Sequence, residues 1–182
     1  MVDYFRIINK YYRPGSEAHR IYTVHVTMVT CLALKIAKRH GLSGYDMQFI
    51  EEASMLHDIG IFKTYAPQIE CYGTLPYIQH VIEGRRILEE EGLPLHAKVA
   101  ANHIGVGGLS AKDIREGNLD LPEEDIKCKS KAEKIISYAD LFYSKNPRKL
   151  WTPKSYSDIL NKLEGREKQL RRFKKWYLKY GV

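Results

Sequence analysis

The sequence predicts an all-α protein, a single helical bundle domain. Three observations carry this. Apolar residues recur at three- and four-residue steps, capping residues and glycines punctuate those runs, and no stretch alternates long enough to specify a buried strand. The 182 residues suit one domain with a substantial core.

The elements follow in order. Residues 1–18 form an N-terminal segment with a turn at Pro14-Gly15-Ser16. A long helix is expected over 19–40, where Ile21, Val24, Met28, Cys31, Leu32 and Ile36 recur at helical spacing and Ala33 and Ala37 permit close packing. Cys31 reads as a small core residue. Lys38, Arg39 and His40 suit the helix C-terminus, and Gly41 stops it. A cap at Ser43 to Asp46 opens a helix over about 46–59 that buries Phe49, Ile50, Ala53 and Leu56 and ends at Gly60. Residues 61–75 read as a loop, followed by helices over about 77–91 and 95–103. Gly105, Gly107 and Gly108 mark a hinge or tight turn. Ser110 to Asp113 opens a short helix ending near Gly117, and a helix over 130–144 turns Ala132, Ile135, Ile136, Ala139 and Leu141 inward. Thr152-Pro153 caps a last helix over about 155–179.

Composition narrows the function classes. A hydrophobic fraction of 44% with 28% charged residues argues against disorder. No uninterrupted apolar run approaches the roughly 18 residues of a bilayer span, and the N-terminus lacks a secretory pattern, so a cytoplasmic location without membrane contact is expected. Cys31, Cys71 and Cys128 are too scattered for a disulfide framework or a thiolate zinc site. The net charge of +7 is concentrated between Lys162 and Lys179, where eight Lys or Arg face two Glu. In that stretch Phe173, Trp176, Tyr177 and Tyr180 share one face, which is expected to pack on the bundle, with Arg171, Arg172, Lys174 and Lys175 turned to water. Residues 146–182 are thus a basic amphipathic helix packed on the domain, and nucleic-acid contact is its lesser reading.

The chemistry lies in His57-Asp58, at the end of a predicted helix where apolar periodicity meets a glycine. Imidazole and carboxylate together suit Mn, Fe, Co, Ni or Zn, with Mg less at ease on nitrogen. His25 and Asp140 stand on other, mostly apolar helices, where an ionised side chain needs a partner or a metal. His80 and His103 fall beside the same bundle, so these residues are candidates to face one cleft.

His57-Asp58-Ile59-Gly60 resembles the signature of the HD-domain metal-dependent phosphohydrolases, the HDIG-motif proteins. The resemblance covers about 19–145 and includes the segments around His25, Ala53 to Gly60 and Lys134 to Asp140. It implies an HD-type bundle with His25, His57, Asp58 and Asp140 as metal ligands. The segments His80 to Gly84 and Asn102 to Gly105 resemble the extra histidines of subgroups with two metals, among them cyclic-dinucleotide phosphodiesterases and dinucleoside-tetraphosphate hydrolases. That resemblance implies two divalent ions, with Asp58 bridging them and orienting the attacking water. The Gly-Tyr-Pro element of the cyclic-dinucleotide subgroup is absent.

A divalent ion lowers the pKa of water and neutralises phosphoryl charge, which is the chemistry of hydrolysis. Lys63, close after the signature, is expected to neutralise a substrate phosphate, and Arg85 and Arg86 to grip it. Arg20, near His25, is a further candidate to grip phosphate, while His19 faces elsewhere and His96 and Glu83 read as solvated or capping residues. The favoured function is hydrolysis of a phosphate ester or anhydride of a nucleotide or other small phosphorylated molecule. The alternative is a noncatalytic nucleic-acid or nucleotide-binding protein with a structural metal.

Overall fold

In the computed structural model, which describes residues 1–181, ten helices and four two-residue strands make up the regular structure. The helices are α1 (Tyr4–Tyr11), α2 (Glu17–Arg39), α3 (Gly44–Leu56), α4 (His80–Glu90), α5 (Pro94–Asn102), α6 (Ile104–Gly107), α7 (Ala111–Glu116), α8 (Lys131–Asp140), α9 (Tyr156–Lys162) and α10 (Glu167–Tyr180). Strand β1 (Tyr65–Ala66) pairs antiparallel with β2 (Cys71–Tyr72), and β3 (Gly108–Leu109) with β4 (Ile126–Lys127). The fold is all-α, as the periodicity predicts.

The long helix α2 runs through the centre. On one side Val29, Leu32, Ala33 and Ile36 pack with Ile135, Ile136 and Tyr138 of α8 and with Phe173 and Tyr180 of α10. On the other, Tyr22 and Val26 pack with Met55 and Leu56 of α3, Ile87 and Leu88 of α4, and Ile7 and Ile8 of α1. Helix α2 is long and apolar enough to cross a bilayer, but its apolar faces are covered by these neighbours.

Serine caps set several helix starts. Ser43 accepts the Asp46 amide, and Ser110, Ser130 and Ser155 each form a reciprocal capping box with the acidic residue three positions on. The structure corrects some expectations. The N-terminal segment contains α1, capped by Asp3, whose Oδ1 accepts the Arg6 amide at 2.9 Å. The loop over 61–75 holds the β1–β2 hairpin between 3-10 turns. Cys31 is exposed, on the outer side of α2. The C-terminal helix is two helices, started by Ser155 rather than Thr152 and parted near Gly165, whose φ is +76°.

Two local events shape the cleft. Helix α8 ends at Asp140, short of residue 144, and the carbonyls just beyond it find a donor outside the helix: Lys154 Nζ donates to Leu141 O at 3.1 Å and to Tyr143 O at 2.9 Å. The α5–α8 side is closed by α10. Gly107 has φ +75°, and a Cβ there would overlap the Trp176 ring. Arg172 is not a solvated charge: its Nη1 donates to Val106 O and Gly108 O.

Candidate metal centre

Five elements deliver the candidate ligands. His25 lies mid-way along α2 and is fully buried. His57 caps the C-terminus of α3, and Asp58 follows in the bend before a 3-10 turn over Ile59–Lys63. Both are fully buried, and the bend lets neighbouring side chains converge. His80 opens α4, His103 follows α5, and Asp140 closes α8. Gly60 brings the His80 helix against the signature turn: a Cβ on Gly60 would overlap His80 O and Gly84 N. Ser137 Oγ donates to His103 O at 3.1 Å and ties the end of α5 to α8.

Asp58 is the hub, and its two oxygens look in different directions. Oδ2 lies 3.1 Å from His25 Nε2 and 3.2 Å from His57 Nε2. Asp140 Oδ1 completes that set, 3.1 Å from His25 Nε2 and 3.6 Å from His57 Nε2. Oδ1 lies 3.5 Å from His80 Nε2 and 3.4 Å from His103 Nε2. Two ligand clusters therefore share one carboxylate: His25, His57, Asp58 and Asp140, and Asp58, His80 and His103. Donors held about 2.0–2.2 Å from one ion lie roughly 3.0–3.6 Å apart, the spacing seen in both.

The protonation pattern calls for cations here. His57 Nδ1 donates to Ser54 O at 2.6 Å, His80 Nδ1 to Tyr77 O at 2.6 Å and His103 Nδ1 to Ala100 O at 2.8 Å. A carbonyl only accepts, so in all three rings Nδ1 carries a proton and Nε2 is left facing the carboxylates, where a proton or a metal ion meets it. His80 and His103 point those nitrogens at each other across 3.4 Å. His25 Nε2, His57 Nε2 and Asp58 Oδ1 are buried without a hydrogen-bond partner. Such groups are costly to bury unless a charge meets them. The donor set fits divalent ions bound by nitrogen and oxygen.

Electrostatics divides the centre. Burial disfavours charge on His57, yet the Asp58 and Asp140 carboxylates outweigh it and raise its pKa to about 10. Burial, with His103 and Lys145 adding to it, lowers His80 to about 4. Both carboxylates stay ionised: burial opposes their charge, but Lys145 and the histidines pull them well below the usual range.

Lys145 is a candidate site residue that the sequence reading missed. Its Nζ lies 2.6 Å from Asp58 Oδ2, and burial, which opposes its charge, is overcome by Asp58 and Asp140. Lys63 is placed otherwise. It is exposed, with Nζ 5.3 Å from the Phe62 ring centre, outside the cluster. Arg85 pairs with Glu124, and Arg86 with Glu83 and Glu90. Neither lines the opening onto the metal ligands. His96, expected to be solvated, is buried against Glu52 at 3.3 Å. His19 reaches Asn9, and Arg20 pairs with Glu17.

A cavity of about 410 Å³ opens onto His80, His103 and Asp140. Lys145, Lys154, Lys162 and Arg166 line it. The last three come from the segment after the metal ligands, read from sequence as packing and solvated charge.

The fold has solved counterparts. The HD domain of the phosphodiesterase PgpH from L. monocytogenes, in complex with cyclic-di-AMP, is similar at 20% identity and a TM-score of 0.54, over 100% of this chain and 89% of that one. A second structure of the same HD domain is similar at 19% identity and a TM-score of 0.54, over 100% and 90%. The family model described as HD domain matches residues 22–144, the stretch that carries all six clustered ligands. This chain therefore belongs to the HD-domain family.

Proposed function

We propose that the chain is a metal-dependent phosphohydrolase that cleaves a phosphate ester or anhydride of a nucleotide or other small phosphorylated molecule, using two divalent ions. The carrying observation is Asp58, whose two oxygens face two separate sets of histidine Nε2 atoms. That a similarly folded HD domain binds cyclic-di-AMP supports a nucleotide as the phosphorylated molecule. Ions bound there supply Lewis acidity and a water of lowered pKa.

The chain's own residues do the rest. His25, His57 and Asp140 hold one position, and His80 and His103 the other, with Asp58 common to both. The Nδ1 bonds to backbone carbonyls fix the ring orientations before any ion arrives. Lys145, at the inner end of the cavity, neutralises charge on the phosphoryl oxygens, the role sequence reading gave to Lys63. Lys154, Lys162 and Arg166 draw the anionic substrate inward. The opening onto the ligands favours catalysis over a closed structural clamp.

The test is metal content beside phosphate release. Asp58→Ala should lose both ions and all hydrolysis. His80→Ala with His103→Ala should lose one ion and keep the other. An Asp58→Ala protein with full metal content and turnover would overturn the assignment.

A further inference from the structure

A second cavity of about 550 Å³ adjoins the first. The two share Ile78, Ile104, Gly105, Arg166 and Gln169, so they form one continuous trough leading away from the metal ligands. Its chemistry changes along its length. The inner part holds Lys145, Lys154 and Lys162, whereas the outer part adds Leu109 and Leu119 to the shared isoleucines. These apolar residues belong to the small core cluster around Val81 and Ile114, and Ile78, Ile104 and Leu119 are only partly covered there. Two of the cations around the outer part are already engaged: Lys168 pairs with Asp113 at 2.8 Å, and Arg172 is spent on the carbonyls of Val106 and Gly108, while Arg166 and Glu167 also border it.

Gln169 stands at the junction of the two parts. Its Oε1 is buried and has no hydrogen-bond partner. The amide lies over Gly105, where a Cβ would sit 3.1 Å from that oxygen. An unsatisfied buried amide is costly, and one beside an open apolar trough is satisfied by whatever enters it. A side-chain amide carries donor and acceptor side by side, the pattern that pairs with the edge of a heterocyclic base.

We infer that the outer trough is a subsite for the heterocyclic base of a nucleotide whose phosphate lies at the metal ligands, and that Gln169 reads the edge of that base. A flat ring buries its faces against Ile78, Ile104 and Leu119, while Arg166 stands where the phosphate and base parts meet. Gln169 and Arg166 lie beyond the stretch 22–144 matched by the family model, whereas the apolar walls at Ile78, Ile104, Leu109 and Leu119 lie within it. The inference rests on the phosphohydrolase reading for the placement of the phosphate, but binding tests it separately.

Calorimetry on the manganese-loaded full chain should compare the four common ribonucleoside 5′-monophosphates with ribose 5-phosphate, which carries a hydroxyl at C1 in place of the base. At least one nucleotide should bind about tenfold more tightly than ribose 5-phosphate. Gln169→Ala should weaken that nucleotide about tenfold, narrow the spread among bases and leave ribose 5-phosphate within about twofold. Leu119→Trp, filling the trough, should weaken all four nucleotides and spare ribose 5-phosphate. The inference is overturned if the wild type binds nucleotides no better than ribose 5-phosphate. It is also overturned if Gln169→Ala weakens both kinds of ligand alike. Turnover of phosphate esters without any base preference sinks the subsite and leaves the hydrolase reading standing. The binding pattern without phosphate release does the reverse.

Discussion

Two lysines show how far residue type alone carries a reading. Closeness to the His-Asp pair makes Lys63 a phosphate-binding candidate, yet the 3-10 turn over Ile59–Lys63 leaves it exposed. Lys145 belongs to no motif. It reaches Asp58 because α8 stops at Asp140 and Lys154 holds the following bend, a tertiary event that no spacing encodes. That six His and Asp residues would cluster is legible, by contrast, because histidines and aspartates in apolar helical runs need partners. Lys145→Met should lower kcat by about 10²-fold, the usual loss of one charge-stabilising donor, with metal content unchanged, whereas Lys63→Met should stay within about twofold of wild type. Single-turnover kinetics with elemental analysis checks both. Lys154 adds a pH dependence. Burial and then the Lys162 cation hold its ammonium down to about 8, so the charge is present at neutral pH and lost as pH rises through that value. The inhibition constant for inorganic phosphate should rise across that range in the wild type and change less in Lys154→Met.

At the scale of elements, boundaries marked by a unique cap were readable and those with rivals were not. Ser43 and Ser110 each announced a helix that the structure contains. Near the C-terminus Thr152-Pro153 and Ser155 competed, and the reciprocal bonds of Ser155 with Asp158 decide the start. Gly165 lay inside a run that continued on either side. A lone glycine is tolerated in a helix, so only its positive φ reveals the break. Helix α1 is short, and its burial of Ile7 and Ile8 depends on partners from α3 and α4. Gly60 is the element-scale residue of the signature. Gly60→Ala forces the start of α4 away from the signature turn, a change that should destabilise by about 1–3 kcal/mol or more. Because α4 carries His80, the Asp58–His80–His103 position should empty first. Denaturant unfolding and metal stoichiometry measure the two effects, and a Gly60→Ala protein with wild-type stability would contradict the close packing.

Over the whole molecule, the excess positive charge of the C-terminal segment is divided between two jobs. Arg172 is structural, and Lys162 and Arg166 border the cavity, while Arg171, Lys174 and Lys175 are exposed on α10. Neutralising Lys162 and Arg166 together should raise KM more at low salt than at high salt, because mobile ions screen exposed charges. Neutralising Arg171, Lys174 and Lys175 should leave KM nearly unchanged, since none lines the trough. Steady-state kinetics across a salt series separates the two sets, and equal effects would mean that the field of the whole tail, not its placement, matters. The ligand order along the chain has a further consequence. His25 comes from an early helix and Asp140 from a late one, while the trough is walled by residues later still. During synthesis, the growing chain displays its His-Asp signature long before the partners that complete the site emerge. The ligand cluster therefore stays incomplete until Asp140 has been made, and a chain released before that point carries the motif without the assembled site.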